Sequence, residues 1–474
     1  MDRRTRRGPI FGMLAVIARA CMGVALGLAP SCGLDDGTVT QAVGTDEAAS
    51  AADGDDAVGA VCTKGLYRCH AKVRGGSNRG FRPHADVPTG YGATDLQAAY
   101  KVTTDKIASP KPTVAIVDAY GYPALEQDLI VYRAYYRLPP CTIANGCLKV
   151  VNQRGETSPL PAPPPPDDDW TIETALDLDM ASAACPLCNL LVVQAEDNGV
   201  GLILAQNVAV ALGATVISNS WGGPESVDTT PQQLAATEAY FAHPGTAIFV
   251  SAGDNGYNDN GEGPDYPATS AGVIAVGGTK LVRDPTTARG WSETAWTQGG
   301  SACSLAVAKP AYQTASPCAF KATTDIAAAG DPNPGLAVYN AANSGWISVG
   351  GTSASAPFVA AVFAATGNGA QSSGAFIASK ASKLYDVTTG RNGECASEGN
   401  LLCNAAAGWD GPTGYGTPNA TALISFVAPP TTDEPATAGD GNLTGGCATG
   451  GHAGAGGLLG LALLALRRGR RAAR

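Results

Sequence analysis

Strand-like and helix-like segments alternate along the chain and predict an α/β fold: a mostly parallel sheet flanked by helices, in a single domain over residues 61–427. Three observations carry this prediction. Short apolar runs, each bounded by Gly, Asn or Asp, are separated by segments of helical spacing. The chain is 45% apolar, enough to fill a core and to exclude global disorder. It carries 60 Gly and 32 Pro with only 15% charged residues, which excludes a coiled coil.

In chain order, residues 113–117 form the first apolar, β-branched run. Residues 125–136 follow with helical spacing, and 171–184 form a second helix with Ile172, Leu176 and Met180 along one face. The stretch 160–169 is proline-rich and then acidic, and reads as an insertion loop without chemistry. Strands are expected at 189–193, 214–218, 247–251 and 273–276, with helices at 200–212 and 232–242 between them. Residues 354–367 form an alanine-rich apolar helix. No internal repeat is visible.

The ends read as address labels. Residues 1–31 place Arg3, Arg4, Arg6 and Arg7 before an apolar stretch broken only by Arg19, the pattern of an export signal. Residues 32–60 read as an acidic linker, beginning at Cys32, where a lipid could attach. A second linker is expected over 428–446. Residues 447–474 then join a Gly-Gly-Cys site, an apolar run and Arg467, Arg468, Arg470 and Arg471, which resembles the tripartite sorting tags of bacterial surface proteins. The expectation is an exported chain, extracellular or at the bacterial surface, touching membrane only through its terminal segments.

The formal net charge is −10, although each terminal segment contains five Arg, so the body between them is strongly acidic. Such a surface repels phosphate backbones and argues against nucleic-acid binding. Ten of the 13 cysteines form five local pairs, 62/69, 141/147, 185/188, 303/318 and 395/403. In an oxidising compartment this suggests short disulfide loops, although spacing alone does not prove connectivity. Cys185 and Cys188 could form a redox CxxC, but no thioredoxin-like context surrounds them.

The chemistry is concentrated in three places. Gly350-Gly351-Thr352-Ser353-Ala354-Ser355-Ala356-Pro357 opens the apolar helix. Glycines allow a tight turn and close substrate approach, and a Ser at a helix N-terminus exposes a hydroxyl beside a free N–H. An ordinary helix cap is the alternative. Glu173 and Asp177, at i and i+4, share one helix face, so their titrations couple and one pKa rises. A Glu so tuned can act as a general base. The alternative is a solvated acidic face, since Asp167, Asp168, Asp169 and Asp179 lie nearby. Third, Asp254 follows the strand at 247–251 within Gly253-Asp254-Asn255-Gly256, a plain turn or an oxyanion donor when protonated.

Histidine does not complete a conventional triad. Of His70, His84, His243 and His452, none precedes Gly-Thr. Asp118 ends the first strand without a His to orient.

Together these residues resemble the sedolisins, serine-carboxyl peptidases of subtilisin-like fold. The likeness spans most of 85–425 and includes Gly90-Tyr91-Gly92-Ala93-Thr94-Asp95-Leu96 and Ser218-Asn219-Ser220-Trp221-Gly222-Gly223. It implies Ser353 as nucleophile, Glu173 as base, Asp177 as its partner and Asp254 as oxyanion donor. It also implies that 218–223 lines the cleft and pairs with peptide backbone. The implied activity is endopeptidase cleavage of polypeptides through an acyl-enzyme, with an acidic optimum and one structural calcium ion. The implied calcium ligands are Asp386 and Asp410 through carboxylates and Val387, Ala406 and Gly408 through carbonyls. A monomer is expected. Two alternatives are an inactive surface-binding module on this fold and a His-dependent subtilase using His243. Sedolisins usually carry a domain-sized propeptide. Here only residues 35–80 are available as a minimal one.

Overall fold

The computed structural model describes residues 58–75, 87–225, 231–395 and 400–426. The expected signal, the sorting tag, the second linker, Cys32, Cys447, His84 and His452 lie outside these residues.

In chain order the strands are Val58–Ala60 (β1), Arg68–Cys69 (β2), Lys72–Arg74 (β3), Thr113–Ala119 (β4), Leu148–Asn152 (β5), Asn189–Ala195 (β6), Val216–Asn219 (β7), Trp221–Pro224 (β8), Ala247–Ser251 (β9), Asp265–Tyr266 (β10), Ile274–Arg283 (β11), Trp291–Ala295 (β12), Cys303–Ala308 (β13), Phe320–Ala322 (β14), Ile326–Ala329 (β15), Leu336–Asn340 (β16) and Gly345–Gly350 (β17). The helices are Ala93–Tyr100 (α1), Leu125–Tyr135 (α2), Trp170–Ala184 (α3), Val200–Ala211 (α4), Pro231–Glu238 (α5), Thr352–Ala365 (α6), Gly374–Ser379 (α7) and Ala420–Leu423 (α8).

The main sheet runs β12-β11-β9-β7-β4-β6-β5, with β15 also pairing with β11. All its pairings are parallel except β11 with β12. Its central strands are buried almost end to end, which explains why they read as continuous apolar runs rather than alternating ones. Helices α3 and α6 pack against each other and against the sheet. Both are buried on nearly every side, so neither shows a polar stripe.

Several expectations shift. The linker assigned to 32–60 ends in structure, because Val58–Ala60 pairs with Lys72–Arg74. The helix expected over 232–242 stops at Glu238. Residues 218–223 do not form one strand: β7 ends at Asn219, Ser220 breaks the run, and Trp221 starts β8 in a different sheet. The strand expected at 273–276 continues to Arg283, because its outer half finds an antiparallel partner in β12. The β16–β17 hairpin was not anticipated. All five local cysteine pairs are disulfides. Cys185–Cys188 sits at the end of α3, with both residues buried. Among the described residues, no helix is long and apolar enough to cross a membrane.

Candidate active site

The carboxyl ends of the parallel strands carry the polar residues: Asp118 on β4, Asn219 on β7 and Ser251 on β9. Open α/β sheets place their ligand sites at this edge. Asp254 lies three residues beyond β9, and the first turn of α6 brings Ser353 to the same region.

Ser353 is the second residue of α6 and is fully buried. Its hydroxyl donates to the Ser220 carbonyl at 3.1 Å. Gly351 precedes the helix at φ 111°, a conformation that disfavours any residue with a β-carbon. Pro357 lies inside the helix and has no N–H to return to the Ser353 carbonyl four residues earlier. That carbonyl instead accepts from the Ser220 hydroxyl at 3.2 Å. The proline thus frees a bond that ties the start of α6 to the strand break at Ser220.

Glu173 and Asp177 lie on α3 and are both fully buried. The solvated-face alternative does not describe their position. Among the described residues neither carboxyl has a hydrogen bond of ordinary geometry; besides the other acids, the Ser353 hydroxyl lies near Glu173 and the Ser220 hydroxyl near Asp177. Burial pushes Glu173 well above the usual range, and the Asp118 charge raises it further. The Ser353 hydroxyl and Asp177 carboxyl lie close enough to favour the Glu173 anion. Asp177 is raised by burial, then by Asp118 and Glu173, and contact with Glu173 pushes it up. Their mutual contact favours the charged form of Glu173 and the neutral form of Asp177. Asp118 joins the cluster, raised to about 7 by burial. Its position at the strand end was legible, but its place beside two acids was not, because the subtilisin pattern directs attention to an imidazole.

Asp254 uses its two oxygens differently. Oδ1 accepts from the Thr352 N–H at 2.7 Å and the Thr352 hydroxyl at 2.9 Å. Oδ2 is buried with no partner among the described residues. Burial raises the group to about 7. Below that pH it is a neutral acid with an O–H to offer.

Among the described residues, no imidazole joins this cluster. The His70 ring engages Ser251 and Asp265 instead. His243 precedes β9, at the end of that strand opposite Asp254. The Cys62 and Cys69 sulfurs approach Glu173, but they are joined to each other in a disulfide and do not make a metal site.

At the expected calcium loop, Asp386 Oδ2 accepts from the Gly408 N–H and Asp410 Oδ2 from the Ala406 N–H, each at 2.9 Å. The two acids therefore bracket residues 406–408. Asp410 is raised to about 7, chiefly by burial, with Asp386 adding to it. Two carboxylates, one raising the other, thus meet at one loop, oxygen ligands of the kind a hard cation would fit.

A subtilase family model matches residues 175–409. Kumamolisin of Bacillus sp. (strain MN-32) is 29% identical over 409 residues, covering 79% of this chain and 70% of that protein. Sedolisin of Pseudomonas sp. (strain 101) is 28% identical over 402 residues, covering 76% of this chain and 65%, just under two thirds, of that protein. The solved structure of Pseudomonas sedolisin, a serine-carboxyl proteinase complexed with pseudo-iodotyrostatin, matches with a TM-score of 0.58 and 26% identity. That match covers 71% of this chain and 98% of the solved chain.

Proposed function

The chain belongs to the sedolisin family of subtilisin-like serine peptidases, and from that premise we propose an endopeptidase that cleaves polypeptides through an acyl-enzyme, with Ser353, Glu173 and Asp177 as its triad. One observation carries this reading: the Ser353 hydroxyl lies beside Glu173 of a fully buried pair of carboxyls, with no imidazole in the cluster among the described residues. Ser353 Oγ attacks the scissile carbonyl while Glu173 takes its proton. Asp177, protonated, holds Glu173 in place and favours its anion. The Ser353 N–H and the Asp254 O–H stabilise the oxyanion. Glu173 then returns the proton to the leaving amine, and water releases the acyl group.

Asp254 sets the acidic optimum. Only its neutral form donates, and its pKa of about 7 makes that form abundant in acid. One calcium ion at Asp386, Val387, Ala406, Gly408 and Asp410 would pin the 406–410 loop and relieve the repulsion between the two acids. It has no part in the chemical steps. The five disulfides favour export into an oxidising compartment.

The test compares wild type with Ser353→Ala on denatured protein in acid. The variant is expected to lose activity by ~10³-fold or more. Equal hydrolysis by both, or none by either, would instead leave the binding-module reading.

A further inference from the structure

Lys321 is 1% exposed and takes no part in the proposed chemistry. It lies on β14, which pairs with β13. Its ammonium donates to three backbone carbonyls: Ala268 at 3.2 Å, Ser270, and Val273 at 3.3 Å. All three belong to the one turn that joins β10 to β11. The turn is shaped by its own bonds, with the Thr269 N–H donating to the Asp265 carbonyl at 3.2 Å and the Ser270 N–H to the Pro267 carbonyl at 2.9 Å. Since one ammonium reaches all three oxygens, the carbonyls at i, i+2 and i+5 converge on a single buried point. Dipoles aimed together in this way repel one another and call for a positive charge between them.

The surroundings favour a cation at that point. Glu238 Oε2 accepts the Ala271 N–H at 2.9 Å, and Oε1 accepts the Tyr266 hydroxyl at 3.0 Å. The same turn thus offers carbonyls to a positive group and an amide to a negative one. Burial lowers the Lys321 ammonium from its ordinary value, while Asp325, Glu238 and Glu225 act against that fall. Each of these acids makes the site more negative. Ala271 is exposed and lines a groove of about 730 Å³ with Leu234, Glu238 and Val307, which puts the turn at the edge of solvent. No carboxylate oxygen is among the three that meet the ammonium. That suits a single positive charge rather than the divalent ions that carboxylates hold.

We propose that the Ala268, Ser270 and Val273 carbonyls form a site for a monovalent cation of the potassium class, and that the native chain fills it with its own Lys321 ammonium. Grouped backbone carbonyls replace the hydration shell of such an ion. The lysine ammonium is a compact point charge and takes the same place through its three donors. It fixes β14 to the turn and, through the turn, to β10, whose Asp265 and Tyr266 pair with Pro224 and Gly223 of β8. A tethered cation cannot be diluted away or chelated, so the turn holds in media without salt. Removing the side chain opens the site to a free ion. The proposal does not depend on the peptidase reading.

The full chain carrying Ser353→Ala serves as parent, and Lys321→Ala and Lys321→Met are added to it. Each protein is melted in the chlorides of choline, potassium and rubidium at one ionic strength. In choline chloride Lys321→Ala should melt about 5 °C or more below the parent, because buried carbonyls lose their donor. Potassium and rubidium should recover most of that loss, as an ion that binds only the folded chain does. The parent should melt alike in all three salts. Lys321→Met keeps a long stem without the charge and should melt low in every salt. Crystals of Lys321→Ala soaked in rubidium chloride should show the rubidium anomalous signal among the three carbonyls. Where Lys321→Ala does not fold as made, refolding from denaturant in the same salts decides. Recovery with potassium or rubidium alone supports the site, and recovery in none overturns it. The proposal also falls if Lys321→Ala melts alike in all salts, if potassium raises the parent or Lys321→Met as much, or if rubidium lies elsewhere.

Discussion

Asp254 differs from an amide at the same position in one respect, its titration. Burial raises its pKa from 3.8 to about 7, so its donor form is present below that value and lost above it. In the proposed reaction, kcat/KM of wild type should fall as pH passes through about 7. Asp254→Asn is neutral at every pH; it should remove that falling limb and keep activity in acid within about tenfold. A pH–rate profile of both proteins checks this. Glu173→Gln keeps the shape but not the basicity, and should lower kcat by ~10²–10⁴-fold with little change in KM. The sequence made these acids legible because i, i+4 spacing forces them together on a helix. Asp118 was visible only as a strand end, since its value depends on a helix 55 residues away. His70 carries no motif, since it does not precede Gly-Thr, and nothing local signals that it meets Ser251 and Asp265.

Among elements, α6 depends on a neighbour. Pro357 cannot satisfy the Ser353 carbonyl, so Ser220 does. Ser220→Ala should leave that buried acceptor unpaired and cost about 1–3 kcal/mol. Denaturant melts in the Ser353→Ala background measure it without self-digestion. The loop at 406–410 offers a second element-scale test. If calcium sits there, adding it should raise Tm of Ser353→Ala, and Asp410→Asn should abolish the increase. Element types were mostly readable because the buried strands and helices differ in length and flanking residues. Bounds were less so. The outer half of β11 exists because β12 pairs with it, and β1 because β3 does. Such partners are tertiary, and three-residue strands carry almost no periodic signal.

The molecule as a whole buries three acids whose folded pKa values rise to about 7: Asp118, Asp254 and Asp410. Between the unfolded value near ~4 and the folded values, the native chain binds protons that the unfolded chain does not. Their contribution to stability is therefore full below ~4 and lost as pH rises through about 7. Thermal melts of Ser353→Ala should show Tm falling across that window, the reverse of ordinary acid denaturation. A flat or rising Tm would contradict the assigned protonation.

The disulfides bear on which parts of the chain are tied to one another. Their partners are separated by 7, 6, 3, 15 and 8 positions, so each closes a small ring within one neighbourhood. Among the described residues none of these bridges fastens the leading segment to the main sheet. Reduction should therefore loosen the Cys62–Cys69 ring without prising β2 and β3 from their partners, which backbone pairing and side-chain packing hold.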